Sequence, residues 1–330
     1  MKRRALYFTA PGVAELREEV LGPPGVGEVA VKTVCSAVSP GTEMLVYRGG
    51  APEELPVDAT IAALEGTFHF PLKFGYSAVG RVDALGPGVD PAWLGRLVFA
   101  FNPHETHFIA PVTALQPIPE EVSTEGAVFL PNMETAVSFL MAGRPVIGER
   151  IAVIGQGIVG LLTTSLLARL PLASLAAVEP LPRRRAWALE AGAGEAFAPD
   201  EARKLIPASA DLTYEVSGHS AGLDLAIALT GDYGRVVIGS WYGRKRVELD
   251  LGGRFHRAHM QLIGTQVSTL APEWRGRWTK ERRFGVAWEM IRRCRPERFI
   301  THRLPFERAP EAYALLEQYP DETIQVIFTY

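Results

Sequence analysis

The sequence predicts an α/β protein in which a doubly wound parallel sheet is set into a second, β-rich domain. Three observations carry this. A strand, a glycine turn and a helix follow one another over Arg150–Arg169; strand-like and helix-like stretches alternate from there to about residue 268; and short β-type runs broken by Gly and Pro fill roughly the first 118 residues. Strict strand–helix alternation builds parallel sheets, because each parallel crossover needs a connecting helix.

In chain order, Gly27-Glu28-Val29-Ala30-Val31-Lys32-Thr33-Val34 and Ala78-Val79-Gly80-Arg81-Val82 read as short strands of a small, irregular β-barrel-like domain. From Thr124 the texture becomes helical, through Ala127-Val128-Phe129-Leu130 and Thr135-Ala136-Val137-Ser138-Phe139-Leu140. Ile151-Ala152-Val153-Ile154 reads as a buried parallel strand, and Gly155-Gln156-Gly157-Ile158-Val159-Gly160 as a turn into the helix Leu161–Arg169. Each glycine has a job: Gly155 for the tight turn, Gly157 for backbone approach to a pyrophosphate, Gly160 for close helix–strand packing. The helix start then offers free N–H groups and partial positive charge to phosphates. Leu175-Ala176-Ala177-Val178 reads as the next strand and ends in Glu179, 24 positions after Gly155, where a carboxylate accepts ribose hydroxyls.

Later strands are expected at Leu212–Val216, closed by Ser217-Gly218, at Gly234–Gly239, and at Met260–Thr265, with a helix over Leu223–Leu229. Residues after about 269 read as largely helical, and Thr323–Phe328 as a closing strand. The simplest partition gives a dinucleotide-binding domain over 133–268 and a β-rich domain from 1–132 and 269–330, with the ligand in the cleft at the strand ends.

The whole chain narrows the function. Its 330 residues, 47% hydrophobic and 22% charged, suit two soluble domains. A net charge of −3 gives no reason to expect nucleic acid or an anionic membrane as partner. Cys35 and Cys294 are the only cysteines and form no Cys-x-x-Cys pair, which excludes a disulfide scaffold or a four-cysteine zinc lobe. Met1-Lys2-Arg3-Arg4 is basic, but Ala5–Ala10 is too short for a signal-peptide core, and no apolar run approaches membrane-spanning length, so a cytoplasmic protein is expected. The basic-aromatic run Glu273–Arg283 reads as a surface helix with its tryptophans packed inward.

At this point the chain resembles the medium-chain dehydrogenase/reductase superfamily, which includes zinc alcohol dehydrogenases and zinc-free quinone reductases. Gly25-Val26-Gly27-Glu28-Val29-Ala30-Val31 is similar to its opening strand, Gly95-Arg96-Leu97-Val98 to its Gly-Asp-Arg-Val turn, and Ile300–Phe306 through Ala312–Leu316 to its closing segment. The resemblance implies a GroES-like catalytic domain around a Rossmann domain, a nicotinamide coenzyme, a small-molecule substrate and a homodimer. The family's Cys-Gly-Thr-Asp element, whose cysteine binds catalytic zinc, matches Pro40-Gly41-Thr42-Glu43; its Gly-His-Glu element matches Gly75-Tyr76-Ser77; the third ligand position falls near Pro131. None supplies a donor, whereas catalytic zinc needs about three; no metal is expected. Cys35 reads as a core cysteine. His104/His107 and His256/His259 read as structural or solvated, with His104 of added interest because the family's first domain closes over substrate near it.

Without a metal, carbonyl reduction still needs a hydrogen-bond donor at the developing alkoxide. Thr42 matches a proton-relay threonine of the zinc enzymes, and Tyr76, in place of a metal ligand, points its phenol at the vacated position. The expected catalytic set is Thr42 and Tyr76, oriented by Glu43 or Glu134; cavity filling is the plainer reading of Tyr76. Expected coenzyme contacts are Thr135, Gly155, Gln156, Gly157, Ile158, Val159, Gly160, Glu179, Arg184, Ser217, Gly239 and Ser240. Glu179 favours NAD by repelling a 2′-phosphate, while Arg183-Arg184-Arg185 favours NADP unless those arginines form a solvated first helical turn. Gln325 stands where some relatives carry a basic residue that reaches a phosphate. The leading function is a zinc-independent NAD(P)-dependent oxidoreductase acting on an alcohol or carbonyl. Its alternatives are a quinone or enone reductase and a non-catalytic dinucleotide-binding protein. Ser39-Pro40-Gly41-Thr42-Glu43 also resembles the branch containing bacteriochlorophyllide dehydrogenases.

Overall fold

A computed structural model describes all 330 residues. The chain divides into two units, Asn132–Cys294 and Met1–Pro131 with Arg295–Tyr330.

The Asn132–Cys294 unit is built on a six-stranded sheet. Its strand order is Glu195–Phe197, Ser174–Val178, Arg150–Ile154, Ala210–Glu215, Thr230–Ile238, Gln261–Gly264, every neighbouring pair parallel. The Arg150–Ile154 strand is apolar on both faces because both are covered. Ile151 and Val153 pack with Phe139, Leu167, Leu212 and Tyr214, whereas Ala152 and Ile154 pack with Val178, Leu223, Ala226 and Val236. From this strand the chain runs outward on one side and then returns to the other. The reversal falls directly beyond Ile154, where Gly155 begins the turn. Doubly wound sheets bind ligands at such a switch point.

The expected boundary at 268/269 is displaced: residues 269–294 belong to this unit. The helix Lys280–Cys294 buries Phe284, Ala287, Trp288 and Ile291, a one-face spacing, and packs against the helix Ile158–Leu167. Arg283 reaches Glu134, and Arg169 Nη2 donates to the Arg293 carbonyl at 2.9 Å. The basic-aromatic run Glu273–Arg283 is not the single helix expected: Pro272–Trp274 form one 3-10 turn, the helix begins only at Lys280, and the half-buried Trp274 and Trp278 lie under Arg277 and Arg282.

In the other unit Glu28–Ala37 is the hub strand. It pairs antiparallel with Ala78–Leu85, His107–Pro111 and Gln325–Thr329, and the last of these runs parallel to Ile300–Pro305. A hairpin of Lys2–Ala10 and Val13–Val20 lies in a separate three-stranded sheet. Leu6, Phe8, Val38, Met44, Phe74, Phe306, Tyr313 and Phe328 form one core. The helix Pro40–Tyr47 starts against that core, with proline in its first turn, where no N–H is missed. Cys35 lies buried in the hub strand, its thiol donating to the Thr124 carbonyl at 3.6 Å. Burial pushes that thiol up to about 12, so it remains protonated and unreactive. No helix is long and apolar enough to cross a membrane.

Candidate functional site

The glycine turn is shaped by contacts that admit no side chain. Gly155 has φ +93°, and a Cβ there would lie 2.6 Å from Ser217 Cα. A Cβ on Gly160 would collide with the Gly155 carbonyl oxygen. Gly157 differs: it is extended at φ −68°, ψ −178°, caps the helix Ile158–Leu167, and a Cβ on it would meet nothing within 4 Å. Two of the glycines are therefore required by the fold, while the third faces open space. That space adjoins the helix's first-turn amides, which have no acceptor within the helix. Such a cradle fits a pyrophosphate.

Glu179 ends the neighbouring strand and is only 4% exposed. Its Oε2 accepts from the Gln156 amide at 2.8 Å and its Oε1 from the Leu181 amide at 3.2 Å. An ionised carboxylate has about four acceptor positions, so each oxygen retains one for a ribose hydroxyl. The Gln156 side chain turns inward instead, Nε2 donating to the Val153 carbonyl and Oε1 accepting from Thr164. Among the expected coenzyme contacts, Gln156 offers none through its side chain. Ile158 is buried and Val159 half-buried on the first turn of the helix.

The later strand ends converge beside the turn. Ser217 donates to Glu215 Oε1 through both its amide and its hydroxyl, and the Gly218 amide donates to Ser240 Oγ at 2.8 Å. Tyr242 donates to Glu215 Oε2 at 2.7 Å. Gly239 makes room for the Phe139 ring, which a Cβ would strike. Thr135 lies half-buried on the helix Leu130–Gly143.

The three arginines form the first turn of the helix Pro182–Glu190. Arg185 Nη1 donates to the Glu179 and Pro180 carbonyls, both at 2.8 Å, and Arg183 lies over the Trp187 ring. Arg184 is half-buried between them.

In the other unit, Thr42 and Tyr76 lie within hydrogen-bonding reach of each other, and with them comes Ser39, which the sequence reading did not single out. The Tyr76 hydroxyl donates to Ser39 Oγ at 2.5 Å, and Thr42 is its second side-chain partner. The phenol is pushed up to about 12, chiefly by burial, with Glu43 and Asp58 adding to the rise and the Ser39 and Thr42 bonds opposing it. It is therefore a donor throughout the physiological range. The signal for Ser39 was present: Ser before Pro at a helix start, with a glutamate four residues on.

Neither expected orienting carboxylate touches Tyr76 or Thr42. Glu43 is fully buried; its Oε1 accepts from the Ser39 amide at 2.7 Å and its Oε2 from Tyr313 at 2.7 Å and His104 Nε2 at 3.1 Å. Glu134 is held by Arg283, with Nε at 3.0 Å and Nη2 at 2.7 Å from Oε1. Gln325 is buried too, its Nε2 donating to the Val38 and Val326 carbonyls, so it reaches no phosphate. Among the paired histidines, His107 bonds Thr106 and His259 stacks on Tyr233.

The zinc positions of the family can be tested on their donors. Pro40 has no ligand atom, Tyr76 presents a phenol already given to Ser39, and Pro131 again offers nothing. His104 and Glu43 are bonded to each other inside the core. This donor set does not fit a catalytic zinc.

No family model matches the chain. Its sequence is 24% identical over 345 residues to YphC of Escherichia coli K12, an uncharacterized zinc-type alcohol dehydrogenase-like protein, covering 94% of this chain and 95% of that one. It is also 24% identical over 354 residues to D-guloside 3-dehydrogenase of the same organism, covering 99% and 100%. The structure of the alcohol dehydrogenase RspB from Escherichia coli CFT073, solved with NADH, superposes with a TM-score of 0.80 at 20% identity over 100% of this chain and 99% of that one. The chain is thus similar along its whole length to zinc-type alcohol dehydrogenase-like proteins and shares the fold of a solved alcohol dehydrogenase.

Proposed function

We propose that the chain is a zinc-independent, NAD(P)-dependent oxidoreductase that moves hydride between nicotinamide and an alcohol or carbonyl substrate. The carrying observation is the Tyr76 phenol, standing at a family metal-ligand position and joined to Ser39 and Thr42. When bound, the nicotinamide supplies the hydride chemistry. The chain's own task is to hold a donor at the carbonyl oxygen as negative charge develops there. A phenol held protonated does this without a metal once its single O–H turns from Ser39 Oγ to the carbonyl oxygen, the Ser39 and Thr42 hydroxyls then donating to the phenol oxygen. Tyr76→Phe is expected to lower kcat/KM on a reactive carbonyl about 100-fold, with NADH affinity unchanged. NADH oxidation across an aldehyde, ketone and quinone panel measures it; parental turnover by the variant would refute the assignment.

Glu179 supports NAD as the coenzyme. It ends the strand next to the glycine turn with two acceptor sites left, which suits ribose hydroxyls, and its charge opposes a 2′-phosphate. NADH is expected to bind at least about tenfold more tightly than NADPH, given the repulsion of like charges a few ångströms apart. Glu179→Ser is expected to narrow that gap, because the carboxylate that repels a 2′-phosphate is then gone. Fluorescence titrations of both nucleotides decide the matter, and tighter NADPH binding by the parent overturns the preference.

A further inference from the structure

We propose that Tyr330, Ser36, His104, Glu43 and Tyr313 form a buried positioning network that fixes the Ser39–Tyr76 hydroxyl pair from behind. The inference rests on the reading of Tyr76 as the donor to the substrate oxygen.

The network is continuous. The Tyr330 hydroxyl lies 2.8 Å from Ser36 Oγ, which lies 2.7 Å from His104 Nδ1. His104 Nε2 bonds Glu43 Oε2, which Tyr313 also reaches, and Glu43 Oε1 takes the Ser39 amide. An ionised Glu43 only accepts, so Nε2 carries hydrogen and His104 is fixed in orientation. Every partner of the carboxylate is a donor.

His104 grips the pair from both ends. Through Glu43 it holds the backbone of Ser39, the acceptor of the Tyr76 proton. On its other side the imidazole lies against Gly75, the residue before Tyr76: a Cβ there would be 2.7 Å from the ring, and Gly75 takes φ +112°. His104 and Glu43 are both fully buried, and Phe328 meets the imidazole edge-on. Burying a carboxylate in such a core is costly, and apolar residues would pack as well. What apolar residues could not do is hold an N–H of the residue that orients the phenol.

The test follows Tyr76 itself. In protein labelled with 13Cζ-tyrosine, the Tyr76 resonance is assigned by its loss in Tyr76→Phe, and its ionisation is followed alongside kcat and NADH affinity. The charged groups facing the phenol are Glu43 and Asp58. Glu43→Gln is expected to bring the Tyr76 titration to lower pH and to reduce kcat about 10-fold or more, as loss of a charged hydrogen-bond acceptor does, with NADH affinity unchanged. Tyr313→Phe keeps the ring and the carboxylate, and is expected to cost about threefold in kcat with the fold retained at a lowered melting temperature, since a buried carboxylate loses one of its donors. It serves if Glu43→Gln does not fold. A folded variant in which neither the Tyr76 titration nor kcat moves overturns the network. If the titration moves while Tyr76→Phe itself turns over normally, the network stands and the role of Tyr76 in the reaction falls.

Discussion

Gly157→Ala is expected to leave the protein folded and to weaken dinucleotide binding about 100-fold, or some 2.7 kcal/mol. The reasoning is geometric. Gly157 is extended, in a region open to any residue, and a methyl there meets no protein atom. Stability is expected to hold or to rise by about 0.4–1 kcal/mol, since alanine has fewer unfolded states to lose. The methyl does, however, occupy the approach to the helix-start amides, which a pyrophosphate must reach closely. Gly160→Ala supplies the contrast: its Cβ would collide with the Gly155 carbonyl, and overpacking of that kind costs about 1–3 kcal/mol. Thermal melts and NADH titrations on the two variants separate a glycine kept for the ligand from one kept for the fold. Parental NADH affinity in Gly157→Ala would mean that the turn holds no dinucleotide.

That contrast marks how far the sequence could be read. The turn was legible because its requirements are local: an apolar strand, glycines at the first, third and sixth positions, a helix, and an acid at the end of the next strand. Ser217, Gly218 and Ser240 were legible as strand ends for the same reason. The network behind Tyr76 was not, because its contacts are remote: 61 residues separate Glu43 from His104 and 270 separate it from Tyr313. No periodicity records such a meeting. Glu43 looked like an orienting group for Thr42 and Tyr76 from adjacency alone, whereas a residue at a helix start can turn its carboxylate back to the capping amide and into the core. The same limit displaced the domain boundary. Phe284, Ala287, Trp288 and Ile291 betray an amphipathic helix, but the spacing does not say which unit receives its apolar face.

The buried Arg283–Glu134 pair carries a large stability effect. Arg283 also donates through Nη2 to the Val267 carbonyl at 2.5 Å, so it ties the helix Leu130–Gly143 to the stretch after Gln261–Gly264. Arg283→Leu leaves the Glu134 carboxylate buried without its counter-charge, which is expected to cost about 3–5 kcal/mol. A loss of that size lowers the melting temperature of this unit by on the order of 10 °C. Replacing both partners by leucine is expected to recover most of it, leaving about 1 kcal/mol for the Val267 carbonyl that has lost its donor. The deficit of Arg283→Leu also has a definite pH dependence. Burial already raises the Glu134 carboxyl above its usual range despite Arg283, and removing the guanidinium raises it further. The folded variant then binds a proton more tightly than the unfolded chain, so its stability falls as pH rises from the unfolded value toward the folded one and stays low above it. Urea unfolding at pH 5 and pH 8 should therefore give the larger deficit at pH 8. Equal deficits at the two values would mean that the lost stability comes from packing rather than from an unpaired carboxylate.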